Sequence, residues 1–172
     1  MASLMENLID ILNKESSEYE SLLELSMKKT PIIVAGDLEG LQKITDEEQI
    51  VVSRINHLEK LRIEDIKDIA NVLNKDVKTL KLANLIEMLE GRPVERQQLA
   101  DVHDRLQSVV HRVQMINNQN GELINQALEM VEFDMNLLQS MKSAPETADY
   151  NRGAYNAGNS MGISRSGFDA KQ

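Results

Sequence analysis

Apolar residues recur at alternating steps of three and four along the stretch from Pro93 to about Met141. This heptad spacing keeps one helix face against partner helices and predicts a single long helix. Gly91 ends the preceding segment, Pro93 stands at a favourable first helical position, and Pro145 marks the far end. The seam consists of Leu99, Val102, Leu106, Val109, Val113, Ile116, Asn120, Leu123, Ala127 and Met130. Because one helix cannot bury this seam alone, we expect other helices of the chain to lie along it.

Two further long helices are predicted before it. The first runs from about Ala2 to Thr30, where Pro31 either ends the helix or kinks it. Gly36 and Asp37 suit a C-cap followed by an N-cap. The second long helix is expected from about Leu38 to Arg62.

Two short segments, Glu64–Val72 and Asp76–Leu89, are predicted to form capping helices where the chain reverses. The expected fold is therefore all-α: an elongated, coiled-coil-like antiparallel helical hairpin or bundle of three long helices plus short capping helices. A content of 3% aromatic residues and no Trp agrees with thin helical seams. We predict a helical domain over residues 1–142 and a flexible tail over residues 143–172, rich in Gly, Asn and Ser.

Charge and residue chemistry exclude several classes of function. A net charge of −9 argues against nucleic-acid binding, because a phosphate binder needs a basic face. The chain has no Cys, which removes disulfides and most structural zinc sites, and no apolar run long enough for stable membrane insertion. His103 and His111 lack the spacing of a helical metal site. We therefore expect no catalytic, metal or cofactor site.

The apolar face of the last long helix widens downstream of Asn120. Apolar doublets repeat there every seven residues, beginning with Leu123 and Ile124, and the Met residues suit a surface that adapts to different partners. Either this face is open to a partner, or the first two helices bury it as core. We define the C-terminal stripe as Leu123, Ile124, Leu128, Val131, Met135, Leu138 and Met141.

A polar interruption lies in the middle of the same helix. Asn117, Asn120 and Gly121 belong to it, and Asn120 takes a seam position. A single seam Asn commonly fixes the register between helices, and a Gly allows close approach or a bend. The alternative is a locally weak helix without a further role.

Four stretches of the chain resemble the FlgN family of flagellar type III export chaperones. They are the helix junction Val34–Leu41, the helix end Leu58–Arg62, the paired Asn followed by Leu within Ile116–Ile124, and a tail with Tyr155 and the closing Phe168–Gln172. Together the likeness spans nearly the whole chain.

This resemblance implies a small cytoplasmic protein without enzymatic activity. Members of the family hold hook–filament junction (hook-associated) proteins before export and deliver them to the export apparatus. Cargo binding is associated with the C-terminal part of the family. Carried onto this chain, it points to the C-terminal stripe and to Tyr155 and Phe168 of the tail.

A second class of function stays open at this point. The wide stripe also suits a structural coiled-coil adaptor or a homo-oligomer in which the stripe is a self-interface. The two classes differ in whether the stripe is free in the isolated chain.

Overall fold

The computed structural model describes residues 2–78 and 80–143, with side chains from residue 4 onward. Four helices follow in order: α1 (Ala2–Ala35), α2 (Leu38–Leu73), α3 (Leu82–Met88) and α4 (Pro93–Ser143). The all-α prediction of three long helices with a short cap is confirmed. The chain forms two compact units, Met1–Met130 and Val131–Gln172, and in the second unit only residues 131–143 are described.

In the first unit, α1 and α2 form an antiparallel hairpin and α4 runs parallel to α1. The direction of α2 follows from Asn7 bonding Asp65 while Ser26 bonds Glu48. The direction of α4 follows from Arg105 bonding Ser16 and from a second contact further along both helices, described below. This arrangement places the seam of α4 against both other long helices.

Two apolar clusters form the core of this unit. The first joins the start of α1, the end of α2, α3 and the start of α4 around Leu8, Ile69, Leu85 and Leu99, which are completely buried. The second lies further along the bundle and contains Leu22, Leu23, Val51, Ile55, Val109 and Val113. The predicted heptad seam of α4 therefore packs inward from Leu99 to Asn120, whereas its last predicted members, Ala127 and Met130, are exposed.

The turn between α1 and α2 uses the predicted cap residues. Gly36 adopts a φ of 67°, a left-handed conformation that favours glycine, and its N–H donates to the Ile33 carbonyl at 3.0 Å. The Asp37 side chain accepts a hydrogen bond from the Gly40 N–H at 2.9 Å. A Cβ on Gly40 would overlap that carboxylate, so the glycine makes room for the cap.

Pro31 does not end α1, which continues to Ala35. Proline removes one N–H, which leaves the carbonyl four residues earlier, on Met27, without its helical partner. Both Pro31 and Met27 are exposed, so the missing hydrogen bond lies on the solvent side of the helix, where it costs little. Buried Ile33 then anchors the last turn of the helix.

The boundaries predicted after Arg62 are wrong. Helix α2 continues without a break to Leu73, and the predicted helix Glu64–Val72 is its last part. Among the described residues of the predicted segment Asp76–Leu89, only those of α3 are helical. Asn74, in the left-handed region at a φ of 55°, ends α2.

The continuation of α2 depends on polar residues at inward positions. Arg62 Nε lies 3.1 Å from Glu15 Oε2 of α1 as an ion pair, although neither atom has a hydrogen bond of good geometry. The Asn7 amide donates to Asp65 Oδ1 at 2.9 Å. Leu61 is exposed, whereas its neighbour Arg62 takes the inward position. A polar stretch that suggested a helix end is therefore part of the interface.

Burial perturbs three titratable groups at this interface. It raises the pKa of Glu15; the Arg62 guanidinium opposes that shift and Glu59 adds to it. Burial also raises the pKa of Tyr19, with Glu15 and Glu59 contributing in the same direction. The pKa of the Asp65 carboxyl is raised by burial, against the hydrogen bond from the Asn7 amide.

Candidate functional site

Asn120 forms a buried polar contact between α4 and α1. Its side-chain amide donates to the Ser26 carbonyl oxygen at 2.8 Å, and its Oδ1 accepts from Thr30 Oγ1 at 2.7 Å. Ser26 is itself completely buried, and its hydroxyl donates to Glu48 of α2 at 3.1 Å. The contact therefore links all three long helices. Because a buried polar side chain is tolerated only where its hydrogen-bond partners are in place, the contact also fixes how these helices are aligned.

The other two residues of the polar interruption lie elsewhere on the helix. Asn117 is exposed and Gly121 is half-buried, and α4 is helical through both positions. A Cβ on Gly121 would meet no other atom, so close approach of another backbone does not require this glycine. Their role in register or bending stays a prediction.

Sequence reasoning found Asn120 but not its partners. Ser26 and Thr30 are separated by one helical turn on the inward side of α1, and the hydroxyl of Thr30 also approaches the Ser26 carbonyl at 3.4 Å. Two small hydroxyl residues one turn apart among apolar seam positions are the signal that was available.

In the first unit, the C-terminal stripe begins beside α1 and then becomes exposed. Leu123 and Ile124 are half-buried, whereas Leu128 and Met130 are exposed. The register explains this change. Because α4 runs parallel to α1 and Asn120 pairs with Thr30, the last residue of α1, Ala35, corresponds to about residue 125 of α4. The stretch of α4 from 126 to 130 therefore has no α1 residue beside it.

In the second unit, every described residue from 131 to 143 is exposed. The apolar side chains of this segment expose between 48% and 67% of their surface. They are Val131, Phe133, Met135, Leu137, Leu138 and Met141. Soluble monomers rarely leave so many apolar side chains together on one short segment unless the segment binds something.

The interpretation of the stripe as core is therefore wrong from Leu128 onward in the described part of the chain. Phe133 and Leu137 widen the same apolar face beyond the residues of the C-terminal stripe, and both are exposed as well. Tyr155 and Phe168, predicted to take part in the same site, lie outside the described residues.

A second exposed apolar pair lies at the turn between α1 and α2. Val34 and Leu38 flank Gly36 and Asp37 and expose 71% and 78% of their surfaces. No heptad signal marks them, because they lie on either side of a turn.

The two candidate histidines lie on an open surface groove. His103 and His111 line it together with Leu82, Leu106, Gln107, Val110 and Gln114, around about 380 Å³ of space. His103 Nδ1 lies 3.2 Å from Asp104 Oδ1, on the exposed side of α4. Among residues 2–78 and 80–143, no group of three or more His, Asp or Glu side chains is placed to hold a metal ion.

Comparison with known proteins adds a family to this geometry. Residues 1–157 match the sequence profile of a family described as "FlgN protein". This chain belongs to the FlgN family. The match covers α1 to α4 and therefore includes the Asn120 contact and the whole C-terminal stripe.

FlgN proteins form a family of flagellar export chaperones rather than enzymes. One relative is the "Uncharacterized protein YvyG" of Bacillus subtilis (strain 168), which is 24% identical over 131 residues. That match covers 76% of this chain and 78% of the relative. No solved structure matches the chain. In the described part of the chain, none of the helices is long and apolar enough to cross a membrane.

Proposed function

We propose that this FlgN-family chain is a cytoplasmic chaperone of hook–filament junction (hook-associated) proteins. It binds amphipathic terminal helices of these proteins through the C-terminal stripe, prevents their premature assembly, and delivers them to the type III export apparatus. The observation that carries the proposal is the exposure of every residue from 125 to 143 in a helix with a wide apolar face.

The chemistry of that face fits a helical ligand. Its anchors recur at helical spacing, which is the pattern that an amphipathic helix matches when it lies in an apolar groove. Met135 and Met141 contribute unbranched, polarizable side chains that repack around different shapes. A surface of this kind accepts related helices from more than one junction protein.

The charge of the same segment favours a protein ligand over a membrane. Glu122, Glu129, Glu132 and Asp134 lie along it, against Lys142 as the only basic residue between 122 and 143. An anionic lipid surface would repel these carboxylates, whereas helices that bind membrane surfaces carry a basic polar face.

Binding would also explain how assembly is prevented. Junction proteins assemble through terminal helices, so a chaperone helix that covers the apolar face of such a terminus occupies the surface needed for self-association. The complex can then be reversed at the export apparatus, because the stripe supplies contacts without enclosing its ligand.

The tail is proposed to compete with cargo. In this proposal Tyr155 and Phe168, outside the described residues, compete with cargo for the C-terminal stripe through weak contacts that leave it accessible to small reagents. Deletion of residues 143–172 should then raise cargo affinity and lower solubility; unchanged values for both would contradict this role of the tail.

Self-association is the second candidate, and the same exposed stripe favours it. Two copies that bury residues 125–143 against each other would leave no site for cargo. Sedimentation velocity over a hundredfold range of concentration separates the two functions: a stable dimer that persists on dilution and excludes junction proteins would support the structural adaptor.

The proposal is tested by titration calorimetry with junction-protein terminal segments from the same bacterium. Val131→Asp places a charge in the middle of the exposed stripe, and Asn136→Asp places the same charge five residues further along, on the polar face of the helix. We expect Val131→Asp to abolish binding and Asn136→Asp to leave it within about threefold.

Circular dichroism controls for folding. Both positions are exposed, so both variants should keep wild-type helicity and thermal stability. Loss of helicity in Val131→Asp alone would show that the stripe is core, and unchanged cargo affinity would show that cargo binds elsewhere.

A further inference from the structure

One acidic residue lies within the apolar face of the second unit. Asp134 is exposed in the free protein and is flanked by Val131 three residues before it, and by Leu137 and Leu138 three and four residues after it. Residues at these separations are neighbours on one helix face. A partner helix that docks on Val131 and Leu138 would therefore also contact the Asp134 carboxylate.

The apolar face is also too wide for one partner helix. At 100° per residue, Val131, Met135 and Leu138 form one row about 60° wide, and Asp134, Leu137 and Met141 form a second row beside it. Together the two rows cover about 160°, whereas a two-stranded seam uses only two positions of every seven. A single docked helix would cover one row and leave the other in water.

The first unit shows how this helix packs against two neighbours. Val109 and Val113 of α4 share one apolar cluster with Leu22 of α1 and with Val51 and Ile55 of α2. The alternating steps of three and four continue in the sequence from Val113 to Met141, with Asn120 and Asp134 as the polar residues at seam positions. The exposed segment thus has the sequence of a helix made to pack against a pair of helices.

From these observations we infer that the occupant of residues 131–141 is a pair of helices from one cargo protein, carrying an Arg or Lys that pairs with Asp134. This inference rests on the proposed function and names the form of its ligand. Asp134 selects the ligand, because a carboxylate that leaves water without a cationic partner strongly opposes binding, and a wholly apolar helix pair supplies none.

The charge of the segment supports a basic partner. Glu129 and Glu132 lie on the polar side of the helix, five and two residues before Asp134, and Lys142 lies at the far end of the segment. Two copies of this chain packed in parallel would bring the same carboxylates together in the same rows, where they repel each other, so charge favours a basic cargo over a parallel dimer.

The first experiment measures cargo affinity by calorimetry with a full-length junction protein from the same bacterium and variants of Asp134. Asp134→Asn and Asp134→Leu should each weaken binding at least about thirtyfold, because each leaves the cargo cation unpaired. Glu132→Gln, an equal loss of charge on the polar side of the helix, should change affinity less than about threefold. Binding of Asp134→Leu as tight as wild type, or tighter, would overturn the inference.

The second experiment counts helices by hydrogen exchange of the same junction protein, alone and bound. Two separate helical segments should gain protection, and replacement of one cargo Arg or Lys by Glu should be rescued by Asp134→Lys. Protection of one segment only would overturn the helix pair while leaving the chaperone function intact. Absence of binding by the wild-type chain would instead overturn the proposed function, and this inference with it.

Discussion

The Asn120 side chain of α4 donates a hydrogen bond to the main-chain oxygen of Ser26 on α1, at 2.8 Å. Asn120 is 3% exposed and is the last buried residue of α4. The residues after it are half-buried or exposed, and all of them are exposed from residue 125 onward. The contact therefore marks the point at which α4 stops being core. Upstream residues hold the bundle together, and downstream residues are available to a ligand.

Replacement of Asn120 by Ala should lower the free energy of unfolding by about 1–3 kcal/mol, because it removes both hydrogen bonds that this buried side chain makes to α1. Urea unfolding followed by circular dichroism measures this change. Asn118→Ala, at an exposed position two residues away, is the control and should stay within about 0.5 kcal/mol of wild type. Equal effects of the two substitutions would show that the contact does not stabilise the bundle.

Two helical glycines should respond in opposite ways to alanine. Gly121→Ala should stabilise the protein by about 0.5–1 kcal/mol, because alanine favours helix and a Cβ there meets nothing. Gly40→Ala should give no such gain, since its Cβ displaces the Asp37 carboxylate that caps α2, and a lost cap costs about 1 kcal/mol.

Thermal unfolding of both variants checks this pair. A stabilised Gly40→Ala variant would mean that the Asp37 carboxylate can move away from the new Cβ without a loss of stability. A destabilised Gly121→Ala would support the prediction that Gly121 permits a bend in α4.

Glu15 should make stability depend on pH. Its pKa in the folded protein is raised above the ordinary value of 4.5, mainly by burial. The folded state therefore binds the Glu15 proton more tightly than the unfolded state does. The stabilisation that results is fully present below pH 4.5 and is lost as pH rises through the pKa of Glu15 in the folded protein. Asp65 acts in the same direction from its ordinary value of 3.8.

The free energy of unfolding should thus contain a component that falls as pH rises above 4.5, and Glu15→Gln should remove most of it. Urea unfolding between pH 4 and 8 for wild type and Glu15→Gln isolates the difference. Parallel profiles for the two proteins would contradict the assignment to Glu15.

Loss of Arg62 should cost stability even though the side chain is partly exposed. Arg62→Ala leaves the Glu15 carboxylate buried without its cation. We expect about 2 kcal/mol of destabilisation, less than a fully buried pair would lose, because water reaches Arg62. The double variant Glu15→Gln with Arg62→Ala should recover part of that loss; if it does not, the two residues act independently.

Hydrophobic periodicity was sufficient to predict the long helices, the seam of α4 and the inward position of Asn120. It failed after Arg62, because Arg62 and Asp65 are polar residues at inward positions and their partners Glu15 and Asn7 lie on a different helix. No local pattern reveals such pairing. The misplaced boundary of α2 follows directly from it.

The exposure of the stripe could not be predicted for a related reason. Periodicity shows which residues share a helix face. Whether that face is buried depends on where the neighbouring helix ends. Because Thr30 pairs with Asn120, α1 ends beside residue 125, and this register became available only with the structure. The stripe residues themselves were found from their spacing.

The most direct test of the account is the accessibility of position 131 in the isolated protein. The chain has no Cys, so Val131→Cys provides a single reactive thiol, and Asn136→Cys on the polar face is its control. We predict that both thiols of the free protein react with maleimide at equal rates, independent of protein concentration. A bound junction protein should then slow the labelling of Val131→Cys at least tenfold more than the labelling of Asn136→Cys. Slow labelling of Val131→Cys alone in the free protein, or labelling that cargo leaves unchanged, would contradict an open cargo-binding stripe.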